Sequence, residues 1–137
     1  MPNSLEPGIF QRWEPPDTMF ARYVGDLHAD DVRAGQAEVK ARQQGLPYFL
    51  ILIDVSLLNS VSTEARRAMA ENGETAKSLR ATAIVGASFH FRAIGTMVAR
   101  AVALLNRHND NPIRFFSTEA DARTWLAERR RMLSHSA

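Results

Sequence analysis

Residues 48–69 read YFLILIDVSLLNSVSTEARRAM, and this stretch decides the fold. The segment Tyr48–Val55 is apolar at nearly every position, which is typical of a strand in the middle of a sheet that is covered on both faces. Asp54 and Ser56 mark the place where the chain is expected to leave the strand, and residues 62–64 mark the start of a helix. Sites in open α/β sheets lie at the carboxyl ends of the strands, so this stretch predicts where a site would be.

The alternation of strand and helix patterns extends along the whole chain in the order β-β-α-β-α-β-α-β-α. Strands that alternate with helices of this length favour parallel βαβ crossovers. We therefore predict an α/β single-domain sandwich, with a mixed, mostly parallel sheet, an N-terminal β-hairpin and four helices. The domain is expected to span residues 8–133 after a flexible tail of residues 1–7. The predicted strands are Ile9–Trp13, Met19–Val24, Tyr48–Val55, Ala81–Gly86 and Pro112–Phe116, and the predicted helices are His28–Gln44, Thr63–Leu79, Phe89–Arg107 and a last helix that is capped by Ser117–Glu119 and runs to about Met132.

The composition argues against several classes of function. The 137 residues carry a formal net charge of +2 and include no cysteine, so disulfides, thiolate metal sites and cysteine nucleophiles are excluded. The basic cluster Arg129–Arg131 is interpreted as a solvated helix end, and no nucleic-acid partner is expected. The histidines lack metal-ligand spacing, so no metal and no cofactor is expected. The sequence has no recognisable secretory signal or membrane-spanning run, which favours the cytoplasm.

Residues 54–66 form a motif that reads Asp54-Val55-Ser56, then Leu57-Leu58-Asn59-Ser60, then Val61-Ser62-Thr63-Glu64-Ala65-Arg66. This frame resembles the STAS superfamily, whose simplest members are bacterial anti-sigma-factor antagonists of the SpoIIAA type. Those proteins carry a strand that ends in Asp-Leu-Ser, a spacer, and Ile-Asp-Ser-Ser-Gly-Leu at the mouth of a helix. Residues 115–126, FFSTEADARTWL, also look like the STAS-like, lipid-domain-related group of small bacterial proteins.

The resemblance implies a non-catalytic regulatory protein that binds another protein, such as a regulator or a kinase. In the phospho-switch members a kinase modifies the first hydroxyl after the motif's aspartate, which corresponds to Thr63, and Ser62 is the neighbouring candidate. A helix N-terminus suits a phosphate because it presents free N–H groups and the positive end of the dipole. The alternative for both hydroxyls is simple helix capping. The predicted partner-binding surface comprises Asp54, Ser56, Asn59, Glu64, Gly86, Ser88 and His90.

The predicted helix Phe89–Arg107 has more apolar surface than a helix on a sheet needs. Three explanations remain open: burial in the core, contact in a homodimer, or a pocket for a lipid or other small apolar ligand. Two function hypotheses follow, an STAS-like interaction module and an apolar-ligand binding protein that uses the space between helix 89–107 and the sheet. An enzyme is a third hypothesis, without a nucleophile–base pair to support it. The residues assigned to this apolar face are Phe89, Ile94, Met97, Val98 and Leu105.

Overall fold

The computed structural model of the protein describes residues 6–71, 77–105 and 110–135. The elements found in these ranges follow the predicted order β-β-α-β-α-β-α-β-α. Residues 1–5 of the predicted tail lie outside the described residues. The elements are β1 Gly8–Glu14, β2 Thr18–Leu27, α1 Ala29–Gln43, β3 Phe49–Val61, α2 Thr63–Ala70, β4 Leu79–Val85, α3 Phe89–Leu105, β5 Ile113–Phe116 and α4 Glu119–His135.

The strands form one mixed sheet in the spatial order β1-β2-β3-β4-β5. β1 and β2 are antiparallel and form a hairpin in which Glu14 pairs with Thr18. Every other neighbouring pair is parallel. The sheet therefore confirms the predicted fold class, including the N-terminal hairpin at the sheet edge.

β3 is longer than the sequence suggested, and the prediction that this strand ends at Val55 is wrong. After a register shift, Leu57 pairs with Val24 of β2, and the pairing continues until Val61 pairs with Leu27. The polar residues that suggested a turn lie on a stretch of the strand that is largely open to solvent. Backbone pairing with β2 continues there although the side chains have become polar.

The predicted second helix is too long at its C-terminal end. α2 ends at Ala70, where the N–H of Glu71 donates to the carbonyl oxygen of Ala68 at 3.2 Å. Leu79, the last residue of the predicted helix, is instead the first residue of β4 and is buried beside Phe49. Its apolar side chain fits either element, so the periodicity alone did not distinguish them. Residues 72–76 lie outside the described residues.

The helices cover both faces of the sheet. Among the described helices, α4 alone covers one face, where Trp125 and Leu126 are buried. The opposite face is covered by α1, α2 and α3, with Val32, Val39 and Ala65 among the buried contacts. The strand residues buried beneath α4 are Phe20, Leu50, Leu52, Ala81, Ala83 and Val85.

The arginine cluster of α4 corrects a second prediction, because only Arg131 is exposed as a solvated helix end would be. Arg129 is buried and its Nη2 donates to the carbonyl oxygen of Arg80 at 2.9 Å and to Asp110 at 3.0 Å. Arg130 donates from Nε and Nη2 to both carboxylate oxygens of Asp17, at 2.9 and 2.8 Å. α4 lies across the sheet, so these side chains reach inward and hold the helix in place.

Candidate functional site

The end of the β3–β4 pairing, where Asp54 pairs with Val85, holds a hydrogen-bonded cluster around Asp54. Its Oδ1 accepts from the backbone N–H of Ser56 at 2.9 Å and from the Ser56 hydroxyl at 2.7 Å. Its Oδ2 accepts from Nε of Arg22 at 3.3 Å. Burial pushes the pKa of Asp54 upward, but the bonds from Ser56 and Arg22 outweigh it and lower the pKa below its ordinary value. Asp54 is therefore an ionised carboxylate whose oxygens are already occupied.

Gly86 brings the next strand end onto this cluster. It has a φ of +77°, and a Cβ at this position would lie 2.9 Å from the Cβ of Ser56. A side chain would therefore be both strained and crowded here, which explains the glycine. Ser88 precedes α3 and caps its first turn, since the Ser88 hydroxyl accepts from the N–H of Phe91 at 3.2 Å. His90 follows on the exposed side of the first helical turn.

A second cluster, which includes the predicted residue Asn59, lies farther along β3. Asn59 and Ser60 both donate to Oδ1 of Asp26 at 2.7 Å, a partner that the sequence did not reveal. Six residue-to-residue steps along the extended chain separate Ser56 from Ser62, which corresponds to about 20 Å. The predicted partner surface thus consists of two clusters, one at Asp54 and one at the start of α2.

Ser62 and Thr63 have different roles at the start of α2. Ser62 is the N-cap, since its hydroxyl accepts from the N–H of Ala65 at 3.0 Å, as the capping alternative predicts. Thr63 is exposed, and Nη2 of Arg66 lies 3.4 Å from its hydroxyl oxygen. Nε of Arg66 is buried with no hydrogen-bond partner among the described residues. Glu64 is exposed beside them.

An apolar cavity of about 200 Å³ lies between the sheet and helices α1, α2 and α3. On the sheet side it is lined by Ile51, Ile53 and Ile84, which are only half-buried although they lie on central strands. Its polar groups belong to Gln11, Tyr23, Gln36, Thr82 and Asn111, and no lining residue among those described is charged. The wall formed by α3 comprises Phe91, Ile94, Gly95, Val98, Ala99 and Val102.

α3 divides the predicted apolar face into two parts. Ile94 and Val98 point into the cavity, whereas Phe89 and Met97 are 90% and 61% exposed on the outer side. The side chain of Leu105 lies outside the described residues. Contact of the outer side with a second copy of the chain stays a prediction.

Two kinds of feature are absent from the described parts of the chain. Across residues 6–71, 77–105 and 110–135, no three His, Cys, Asp or Glu side chains come together as a metal site. None of the helices in these ranges combines the length and apolarity needed to span a membrane.

The mixed sheet, the element order and the helices that begin at its carboxyl edge define a SpoIIAA-like domain, as the resemblance to the STAS superfamily predicted. An uncharacterised protein of the DUF3478 family from Shewanella loihica PV-4, with a SpoIIAA-like fold, is 23% identical; the match has a TM-score of 0.66 and covers 90% of this chain and 98% of that one. The anti-sigma factor antagonist SpoIIAA in its unphosphorylated form is 14% identical, with a TM-score of 0.57 over 88% of this chain and 98% of that one.

The chain belongs to the family described as Domain of unknown function (DUF7793), whose model matches residues 23–130. Among curated proteins, none is significantly similar in sequence.

Proposed function

We propose that this protein is a non-catalytic STAS-type regulatory module that binds a small apolar molecule in the cavity beneath α3. The cavity of about 200 Å³ is the observation that carries the proposal. The non-catalytic part rests on the SpoIIAA-like fold, since proteins with this fold generally act by binding.

The size and the apolar lining of the cavity favour the binding of a small apolar ligand. The side chains that line the cavity have no protein atoms on their open side, so they lack part of the dispersion attraction that a filled core provides. An apolar molecule that fills the cavity recovers part of this attraction through dispersion contacts with the lining side chains. Cavities of about 150 Å³ with apolar walls already accommodate benzene. A ligand of the size of a substituted benzene ring therefore suits this cavity.

The position of α3 supports a regulatory consequence of binding. Ala87, which follows Gly86, lines the cavity, and Gly86 lies against Ser56 of the Asp54 cluster. A ligand beneath α3 would therefore contact the turn that forms part of the predicted partner surface. Binding in the cavity and the shape of that surface would then depend on each other.

The experiment that tests the proposal is calorimetric titration of the protein with cumene, using one variant that fills the cavity and one matched control. Ala99 lines the cavity and Ala93 is exposed on the same helix. Wild type and Ala93→Leu should bind cumene with similar affinity, and Ala99→Leu should bind it at least about tenfold more weakly. Equal binding by all three proteins, or no binding by wild type, would contradict the proposal.

A second candidate function is regulation by charge at Thr63 through contact with a protein partner. It is favoured by the exposed Thr63 hydroxyl in the first turn of α2 and by Arg66, 3.4 Å away. A phosphate at this position would meet the helix dipole and an arginine with an unpaired Nε. The solved relative SpoIIAA is an anti-sigma factor antagonist, and a regulator or kinase is the corresponding partner proposed here.

Intact-mass analysis of the protein from its own cells tests this second candidate. The proposal expects a phosphatase-sensitive phosphoryl group on wild type and none on Thr63→Val. A phosphoryl group that persists on Thr63→Val would place the modification elsewhere. The cytoplasmic location, the homodimer, and the absence of nucleic acid and of a cofactor stay predictions, and native mass spectrometry measures the subunit number directly.

A further inference from the structure

Tyr23 differs from the apolar side chains around it in the cavity. It lies on β2 and lines the cavity, and its hydroxyl makes no hydrogen bond to any residue in the described ranges. Tyr23 sits at the register shift between β2 and β3, where Arg22 pairs with Asp54 but Val24 pairs with Leu57. Such irregularities re-aim a side chain and are over-represented beside active sites.

The other polar side chains of the cavity each have at least one polar partner in the protein. Gln11 donates to the carbonyl oxygen of Gly35 at 3.0 Å, and Gln36 donates to that of Ala68 at 2.9 Å. The Thr82 hydroxyl is 3.5 Å from the side-chain oxygen of Asn111. The Tyr23 hydroxyl has no such partner among the described residues and Tyr23 lines the cavity, so this hydroxyl is a group that a bound molecule would satisfy.

Charge distinguishes the ligands that the cavity can hold. No described lining residue is charged, so an ion would lose its hydration without gaining a counter-charge. Burial raises the pKa of Tyr23 to about 12, and the hydroxyl therefore stays protonated at every physiological pH. The phenol can thus donate a hydrogen bond and adds no charge to the cavity.

We infer that the ligand is a neutral molecule of about six to ten non-hydrogen atoms in its buried part, with an oxygen that accepts a hydrogen bond from Tyr23. Small aromatic ketones and esters belong to this class. The inference rests on the proposed function, because it names the chemistry of the molecule that the cavity beneath α3 would bind.

Three probes of matched size separate the elements of this inference. Acetophenone is neutral and has a carbonyl oxygen, cumene is its hydrocarbon counterpart, and benzoate is its charged counterpart. Calorimetry should show binding of acetophenone and cumene. Benzoate should bind with an affinity at least about tenfold lower than that of acetophenone. Benzoate that binds as tightly as acetophenone would overturn the requirement for a neutral ligand.

The variant Tyr23→Phe tests the hydrogen bond itself. It should weaken the affinity for acetophenone about fivefold and leave the affinity for cumene within about twofold of that of wild type. The matched control is Tyr48→Phe, since Tyr48 is not among the residues that line the cavity and packs against the core beneath α4. Tyr48→Phe should leave both affinities unchanged. Equal acetophenone affinity in wild type and Tyr23→Phe would overturn the role of Tyr23.

A spectroscopic measurement on wild type keeps the test decisive even where Tyr23→Phe folds poorly. The carbonyl stretching band of bound acetophenone should move to lower frequency than in an apolar solvent, because a hydrogen bond weakens the C=O bond. A band at the apolar-solvent frequency would overturn the hydrogen bond while leaving the cavity as a binding site. Absence of cumene binding is a different result, since it would contradict the proposed function as a whole.

Discussion

The two faces of the sheet differ in how completely they are covered. Beneath α4, Leu50 and Leu52 have no exposed surface. On the other face of the same strand, Ile51 and Ile53 are half-buried and line the cavity. The strand presents apolar side chains to both faces of the sheet. The difference in exposure therefore arises from the helices that cover each face.

The helices differ in side-chain size and in how they are attached. α4 contributes Trp125 to the core and is tied to the sheet by Arg123–Glu14 at 2.7 Å and Arg130–Asp17 at 2.8 Å. α3 presents small residues such as Gly95 and Ala99 to the sheet. Within the described ranges, no residue of α3 forms a salt bridge. The α4 face is therefore built for stability, and the α3 face leaves room for a ligand.

The largest expected effect compares two neighbours on β3 that point to opposite faces. Leu52→Ala should lower the free energy of unfolding by about 3–5 kcal/mol, because a fully buried side chain leaves a new cavity. Ile53→Ala should cost only about 1–2 kcal/mol, because that side chain already borders empty space. Urea denaturation of both variants measures the difference, and equal costs would remove the distinction between the faces.

The next effect concerns the attachment of α4. Asp17→Asn should cost about 1.5–3 kcal/mol at neutral pH, since it weakens hydrogen bonds to the charged Arg130. Burial raises the pKa of Asp17, but bonds from Arg130, Thr18 and Tyr48 lower it overall. The ionised form is therefore favoured by folding, and this contribution is lost as the pH falls below the ordinary value of 3.8 through the lowered pKa.

Urea denaturation at neutral and acidic pH tests the Asp17 prediction. The loss of stability in acid should be smaller in Asp17→Asn than in wild type. Glu38→Gln serves as the control, because its partner Arg42 lies in an exposed pair on α1 whose loss should change stability by less than about 0.5 kcal/mol. An Asp17→Asn variant as stable as this control would refute the attachment.

A smaller effect is expected from filling the cavity. Ala99→Leu should raise the free energy of unfolding by about 0.5–2 kcal/mol while it weakens cumene binding. The exposed Ala93→Leu should lie within about 0.5 kcal/mol of wild type. Thermal denaturation without ligand measures both. A destabilised Ala99→Leu would mean that the α3 face is already fully packed.

The smallest effect appears only at alkaline pH. Because burial raises the pKa of Tyr23 from 10.0 to about 12, its contribution to stability is intact below pH 10 and is lost as the pH rises toward 12. The chain has two tyrosines, so an absorbance titration of Tyr23→Phe reports Tyr48 alone. The difference between the titration curves of wild type and Tyr23→Phe should show a phenol that ionises near pH 12. An ordinary pKa for Tyr23 would mean that water surrounds its hydroxyl.

The order of elements could be predicted because each strand and helix has its own periodicity. β3 was recognised from its continuous apolar run, and α4 was recognised from the capping residues Ser117–Glu119. The end of β3 could not be predicted in this way. Its last residues pair with β2 through the backbone, and backbone pairing leaves no mark on side-chain type.

The candidate site was predicted only in part. The apolar excess of α3 indicated a pocket as one of three alternatives, but a sequence cannot show whether apolar side chains meet or leave a gap. Arg129 and Arg130 were misjudged because their partners, Asp110 and Asp17, are distant in sequence. Tyr23 was missed as well, because a sequence does not show which side chains border a gap.

The most direct test of the account is a titration with cumene that is followed by NMR of the isoleucine and leucine methyl groups. The account predicts that the methyl signals of Ile53 and Ile84 shift progressively to saturation, because these residues line the cavity. Those of Leu50 and Leu52, sealed beneath α4, should stay in place. Shifts of similar size on both faces, or no shifts on either, would contradict the claim that the α3 face is the ligand-binding side of the sheet.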